Sequence, residues 1–65
     1  MPIVMIYTWE GKTVDQKRKI SEAITNALVE IGGVRREKVE IIIHDMPKNS
    51  WAQGGVLAID LPEKK

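Results

Sequence analysis

The residue best suited to chemistry in this chain is Pro2, which directly follows Met1. Initiator methionine is commonly trimmed when the next side chain is small, and trimming would leave Pro2 with a free secondary amine. An α-amino group titrates near pH ~8, and burial against apolar walls or a nearby cation lowers its pKa toward neutrality. A base tuned to about pH 7 suits proton transfer. Pro2 is therefore predicted to act as a general base.

Cationic and aromatic side chains are available to surround such a base. Lys12 follows the first apolar segment, and Arg35 and Arg36 lie in the connection before the second. Cations there would bind a carboxylate, stabilise an enolate as it forms and lower the pKa of the proline amine. Trp9 and Trp51 could supply apolar walls that exclude water. Together these residues predict a pocket for an anionic substrate that gives up a proton.

The same residues also have ordinary structural interpretations. A turn lysine is commonly solvated, tryptophan commonly packs in a core or interface, and the arginines could pair with Glu37 or with solvent. Glu40 is interpretable as an ordinary charge on a strand face. His44, the single histidine, is interpreted as a structural hydrogen-bonding residue.

Size and composition limit the possible functions. The chain has 65 residues, which is one small domain (1–65), and a chain this short is marginally stable alone. It contains no cysteine, so disulfides and thiolate zinc sites are excluded, and one histidine cannot build a metal site alone. The net charge of +1 gives no reason to expect binding to nucleic acid or a membrane. No membrane span or signal peptide is recognisable, so a cytoplasmic protein without metal or cofactor is predicted.

The order of elements is strand, helix, strand, followed by a short hairpin. Two nearly continuous apolar segments, each typical of a strand buried on both faces, flank a segment of helical period. Thr13 and Gln16 form a capping box at the start of the helix, and Gly32-Gly33 end it. The predicted elements are a strand over Pro2–Tyr7, a helix over Val14–Ile31, a strand over Val39–His44, a loop or hairpin over Trp51–Gly55 and a last strand over Val56–Ile59.

These elements predict an α+β fold built from a β-α-β protomer with parallel strands. Two strands under one helix leave both sheet edges bare, and bare edges invite pairing with another chain. A second copy would give a four-stranded sheet with two helices on one face. Such a dimer still has apolar residues on the opposite face, and association of three dimers into a hexamer would cover them, so the residues allow either a dimer or a hexamer. The apolar fraction of 43% fits the extra surface buried between subunits.

The chain resembles the 4-oxalocrotonate tautomerase family along nearly its whole length. The resemblance rests on several segments in order: Met1-Pro2-Ile3, Glu10-Gly11-Lys12-Thr13, Asp15-Gln16-Lys17, Val39 to Met46 and Lys48 to Gly55. It implies a hexamer built as a trimer of dimers. It also implies an N-terminal proline that shuttles protons between carbons of unsaturated 2-oxo or 2-hydroxy acids, without metal or cofactor.

The resemblance also implies roles for individual residues. Pro2 stands at the position of the catalytic proline, and Lys12 at that of an arginine that binds a substrate carboxylate. Lysine keeps the charge but lacks the planar fork of arginine. Trp51 stands where the family has an aromatic residue, usually phenylalanine, and Trp9 at an apolar pocket position. Glu40 departs from the pattern, because the best-known members have an arginine there that a neighbouring subunit supplies.

This departure leaves alternatives open, as would a chain that kept Met1 and so had no free proline amine. A glutamate at position 40 would repel a dicarboxylate, although Arg35 or Arg36 could compensate. One alternative is therefore a non-catalytic or vestigially active oligomer with the same fold. Another is a DNA-binding dimer of the ribbon–helix–helix type, which requires a basic strand followed by two helices. The main prediction is a tautomerase in which neutral Pro2 removes a proton from one carbon and returns it at another.

Overall fold

The computed structural model describes residues 1–62, so the last three residues of the predicted domain lie outside it. Two seven-residue strands flank a seventeen-residue helix, and a small hairpin follows. Within residues 1–62, short 3-10 turns precede and follow the second strand, and another follows the hairpin. The regular elements are β1 (Ile3–Trp9), α1 (Val14–Glu30), β2 (Glu40–Met46), β3 (Ala52–Gln53) and β4 (Val56–Leu57).

Strands β1 and β2 pair in parallel, from Ile3 opposite Glu40 to Trp9 opposite Met46. Backbone hydrogen bonds close both ends of this ladder. The Glu40 N–H donates to the Pro2 carbonyl at 3.0 Å, and the Glu10 N–H donates to the Met46 carbonyl at 3.0 Å. The described part of the chain thus has one α-helix between two parallel strands, which excludes the ribbon–helix–helix alternative.

Helix α1 begins where the capping box predicts. The Gln16 N–H donates to Thr13 Oγ1 at 3.1 Å, and the Thr13 N–H donates to Gln16 Oε1 at 2.8 Å. Each bond satisfies a backbone donor that would otherwise lack a partner at the helix start. The cap fixes the turn that carries Lys12, because that turn joins β1 directly to α1.

The two faces of the β1–β2 sheet differ in what covers them. Val4, Ile6 and Ile43 are partly buried on the face that carries Asp45, which forms an ion pair with Lys17 of α1. That pair places the helix on this face. The alternate residues of the two strands point the other way, and several of them are large, apolar and exposed: Ile3 at 51%, Met5 at 58%, Tyr7 at 56% and Ile42 at 44%.

A single protomer buries very little of its apolar surface. Among the described residues only Ala58, 5% exposed, falls in the buried class. The radius of gyration is 14.8 Å, against about 11 Å for a compact domain of this length. Further exposed apolar residues lie on the hairpin and the turn after it, at Val56, Leu57 and Ile59. This protomer leaves much apolar surface available for contact with other chains.

The structure corrects several element boundaries. β1 extends to Trp9 instead of ending at Tyr7, and β2 begins one residue later than predicted but continues to Met46. Polar residues such as Thr8 and Asp45 are thus included in the strands, because the ladder of backbone bonds continues through them. The last strand is only Val56–Leu57, since the chain then enters a 3-10 turn over Ala58–Asp60.

Candidate active site

An open groove of about 480 Å³ lies at the carboxyl ends of β1 and β2. We call it the tryptophan groove, because indole rings form its apolar walls. It is lined by Tyr7, Thr8, Trp9, Glu10, Gly11, Lys12, Gln16, Lys48 and Trp51. The structure thereby brings together three of the predicted site residues, namely Trp9, Lys12 and Trp51.

The two tryptophans form a rigid corner of this groove. Their ring centroids are 6.0 Å apart and their planes meet at 78°, an edge-to-face contact. The backbone of Trp51 is held by the Ala58 N–H, which donates to its carbonyl at 2.6 Å. Trp9 Nε1 is buried and makes no hydrogen bond within residues 1–62. The two indole rings therefore give the groove an apolar corner with walls at nearly right angles.

Charged side chains line the groove beside the tryptophans. Lys12 follows Gly11, whose φ of +121° is readily adopted by glycine. Lys48 Nζ lies 5.0 Å from the centroid of the Trp9 ring. Neither lysine forms a salt bridge with a described residue, whereas Glu10 contributes one carboxylate. The groove therefore combines an apolar corner with two cations and one anion.

The remaining predicted site residues lie at the opposite end of the sheet. Pro2 is partly buried just before β1, and its carbonyl accepts from the N–H of Glu40. Arg35 Nη2 is 2.6 Å from a carboxylate oxygen of Glu37, one of the ordinary partners expected for it. Arg36 donates to Asn26 Oδ1. Within one protomer, therefore, none of these four residues lines the tryptophan groove.

Sequence reasoning missed Lys48 as a groove residue. It begins the 3-10 turn Lys48–Ser50 and stands three positions before Trp51, so the turn directs both residues toward the end of β1. The available signal was this spacing, together with the proline that precedes the turn. The lysine itself is indistinguishable in the sequence from a solvated one.

His44 lies outside the groove lining, as its structural interpretation requires. Its ring stacks on that of Tyr7, with centroids 4.2 Å apart. Its Nε2 is buried and has no hydrogen-bond partner in the described chain, so the hydrogen bond expected for His44 is not formed within one protomer. Among residues 1–62 no cluster of three or more metal-ligating side chains occurs. None of the helices in that range is both long and apolar enough to cross a membrane.

The chain is thus a small β-α-β protein with a groove that contains two lysines and two tryptophans. Comparison with known proteins shows its family. The profile of the tautomerase enzyme family matches residues 2–60. A 2-hydroxymuconate tautomerase from Comamonas testosteroni is 43% identical over 61 residues, which cover 94% of this chain and 97% of the relative. The chain belongs to the tautomerase family, and its activity class is that of a tautomerase, an isomerase that moves a proton within one molecule.

Solved structures agree on the fold. One of the 4-oxalocrotonate tautomerase isozymes from Methylibium petroleiphilum superposes with a TM-score of 0.84 at 45% identity, covering 89% of this chain and 94% of that one. A heterohexameric 4-oxalocrotonate tautomerase from Chloroflexus aurantiacus J-10-fl superposes with a TM-score of 0.88 at 27% identity, covering 95% and 100%. The family and the β-α-β fold predicted from the sequence are therefore confirmed.

Proposed function

We propose that the free amine of Pro2 is the general base of a cofactor-independent tautomerase, and that it works in the tryptophan groove of a second protomer. Support comes first from the family, whose profile match begins at residue 2. Support comes also from the groove, whose two lysines and indole walls would favour the neutral form of an amine placed beside them.

The observation that carries the proposal is the placement of Pro2 and the groove at opposite ends of β1. The strand spans about 23 Å between them, so the amine of one chain cannot serve the groove of the same chain. β1 pairs on one side with β2 and has no partner on its other edge in the described protomer. If two copies of β1 pair antiparallel about a point between Met5 and Ile6, Pro2 lies opposite the partner's Trp9.

That pairing gives the four-stranded sheet predicted from the sequence, with both helices on one face. The opposite face carries the exposed apolar residues of β1 and β2, and contacts among three such dimers would cover it. We therefore propose a homohexamer with its grooves completed between chains. A cytoplasmic location remains a prediction of the sequence.

The proposed substrates are unsaturated 2-oxo or 2-hydroxy acids. Neutral Pro2 takes a proton from the enol hydroxyl or from a carbon beside the carbonyl, and the electron pair moves into the conjugated system. Lys12 binds the substrate carboxylate beside the reacting carbons, and from there its positive charge also stabilises the negative charge that develops on oxygen. The protonated amine of Pro2 then gives the proton to a different carbon. The same nitrogen thus accepts the proton and later donates it. Trp9 and Trp51 exclude water from the site while the proton is transferred.

The experiment compares Pro2→Ala with the parent protein on 2-hydroxymuconate and phenylenolpyruvate, after intact mass has confirmed removal of Met1. We expect kcat/KM to fall by about 100-fold or more, the usual contribution of a positioned general base. A form that retains Met1 should lose as much, because its Pro2 nitrogen is an amide. The pH profile of kcat/KM should show an ascending limb near neutrality that disappears when the imino group is alkylated.

Pro62→Ala is the matched control, because Pro62 is exposed and lies after the hairpin. Its rates should equal those of the parent. A Pro2→Ala protein that folds, assembles and retains the parental rate would show that the base lies elsewhere. Weak parental activity on both substrates would instead favour the vestigial alternative, which Glu40 supports because its carboxylate would repel an anionic substrate.

A further inference from the structure

One cation in the tryptophan groove has no role in the mechanism above. Lys48 Nζ lies 5.0 Å from the centroid of the Trp9 ring, within the range of a cation–π contact. The ring attracts the ammonium without using its N–H donors. Lys48 is therefore held at the groove wall with hydrogen-bond donors still free for a ligand.

The groove brings two cations together at one apolar wall. Some other cations of the described chain pair with carboxylates, namely Lys17 with Asp45, Lys19 with Asp15 and Arg35 with Glu37. Lys12 and Lys48 share the groove with a single carboxylate, that of Glu10. Two like charges on one groove repel each other, and a bound carboxylate would relieve that repulsion.

We propose that Lys48 is a substrate-binding residue that holds, together with Lys12, a carboxylate of the substrate. The inference rests on the proposed function for the identity of the substrate. Each lysine donates to one carboxylate oxygen as a point charge, so the pair replaces the planar fork that a single arginine would present. Trp9 is the positioning residue, because its ring face fixes the ammonium of Lys48.

This arrangement predicts what the groove accepts. The carboxylate lies between the lysines, and the body of the ligand extends over the indole corner of Trp9 and Trp51. A ligand needs both a negative head and a flat or apolar body of a few carbons. An uncharged amide of the same shape should bind weakly, since it offers the two ammonium groups no negative charge and no charge-assisted hydrogen bond.

Binding can be measured without catalysis, because Trp9 and Trp51 are the only tryptophans of the chain and both line the groove. Their fluorescence is titrated with unreactive probes, namely adipate, hexanoate and hexanamide, in the parent and in Lys48→Gln. We expect the Kd of adipate and hexanoate to rise about 10-fold in Lys48→Gln, a typical loss for one charge-assisted hydrogen bond. Lys48→Arg should bind within about threefold of the parent, because it restores the charge and the contact with Trp9.

Lys19→Gln is the matched control, since it removes the same charge from an exposed side chain of α1 that is paired with Asp15. It should leave the Kd of every probe unchanged. With a reactive monocarboxylate, Lys48→Gln should raise KM about 10-fold and change kcat much less, as expected when binding is lost equally from ground state and transition state.

The two proposals can fail separately. If Lys48→Gln binds adipate and hexanoate as the parent does, Lys48 is not a substrate-binding residue, whatever the role of Pro2. Equal affinity of hexanamide and hexanoate in the parent would also overturn the inference. If charge-dependent binding is present but Pro2→Ala retains full activity, the lysine pair stands and the assignment of the base falls.

Discussion

Tyr7 stacks on His44 with its ring plane only 5° from parallel and 4.2 Å between centroids, on the sheet face that lacks the helix. The two residues are partners in the parallel register, so their side chains emerge side by side. Their stacked rings adjoin the exposed apolar side chains of Met5 and Ile42. This face therefore presents an ordered apolar surface, which is typical of a protein–protein interface.

Met5→Lys should prevent assembly beyond the dimer. Met5 lies on this apolar face and is 58% exposed in the protomer, so lysine is tolerated by a free chain but places a charge in a buried interface. Light scattering or native mass spectrometry should give six protomers for the parent and fewer for the variant.

Val14→Lys provides the control for this prediction. Val14 is also apolar and 64% exposed, but it begins α1 and lies away from the bare face. The control should keep the parental mass. An unchanged mass for Met5→Lys would mean that this face is not an interface in the assembly.

Mixing two impaired variants should restore activity if each site takes Pro2 from one chain and the groove from another. Pro2→Ala lacks the base, and Lys12→Gln has an impaired groove. After joint refolding, half of the dimers contain both variants, and each of these has one unaltered site across its two-fold axis. Activity should reach about a quarter of the parental value per protomer, measured as initial rate on phenylenolpyruvate.

Two controls accompany the mixing experiment. Each variant refolded alone sets the baseline, and refolded parent corrects for losses during the procedure. A mixture no more active than the mean of the separately refolded variants would show that Pro2 and Lys12 of the same chain act together.

The sequence was sufficient to predict the elements that local chemistry determines. The capping box of Thr13 and Gln16 fixed the helix start, and the apolar segments of β1 and β2 indicated parallel strands under a helix. The structure places Trp9 and Trp51 in one groove with Lys12, where the sequence analysis expected apolar walls beside a cation.

Other features depend on contacts that the sequence does not display. Lys48 is a groove residue only because the turn after β2 brings it over the Trp9 ring. Arg35 and Arg36 were expected beside Lys12, yet in one protomer they pair with Glu37 and Asn26 at the other end of the sheet. The length of a strand separates the two arginines from Lys12, and the residue pattern around each position does not show that separation.

Thr13→Ala should destabilise the protein by about 1 kcal/mol, the usual cost of losing an N-cap side chain. The substitution removes the 3.1 Å bond from the Gln16 N–H and leaves that donor without its partner. Thermal unfolding at fixed protein concentration should give a Tm several degrees lower. Thr13→Ser keeps the hydroxyl and should unfold near the parental Tm, whereas equal loss in both variants would point to packing of the threonine methyl group.

Glu40→Gln should improve the use of dicarboxylates. Glu40 is exposed and its backbone is bonded to that of Pro2, so its charge acts close to the proposed base. Removing it should raise kcat/KM for 2-hydroxymuconate roughly 3- to 10-fold, the effect of one charge at partly screened distances. The rate on phenylenolpyruvate, which has one carboxylate, should change less. Since a nearby anion favours the protonated amine, removal of the Glu40 charge should lower the pKa of Pro2 and move the ascending limb of the pH profile to lower pH.

Glu22→Gln, on the exposed side of α1, is the control and should alter neither the rates nor the pH profile. Equal gains on both substrates with an unmoved profile would show that Glu40 acts by some route other than its charge.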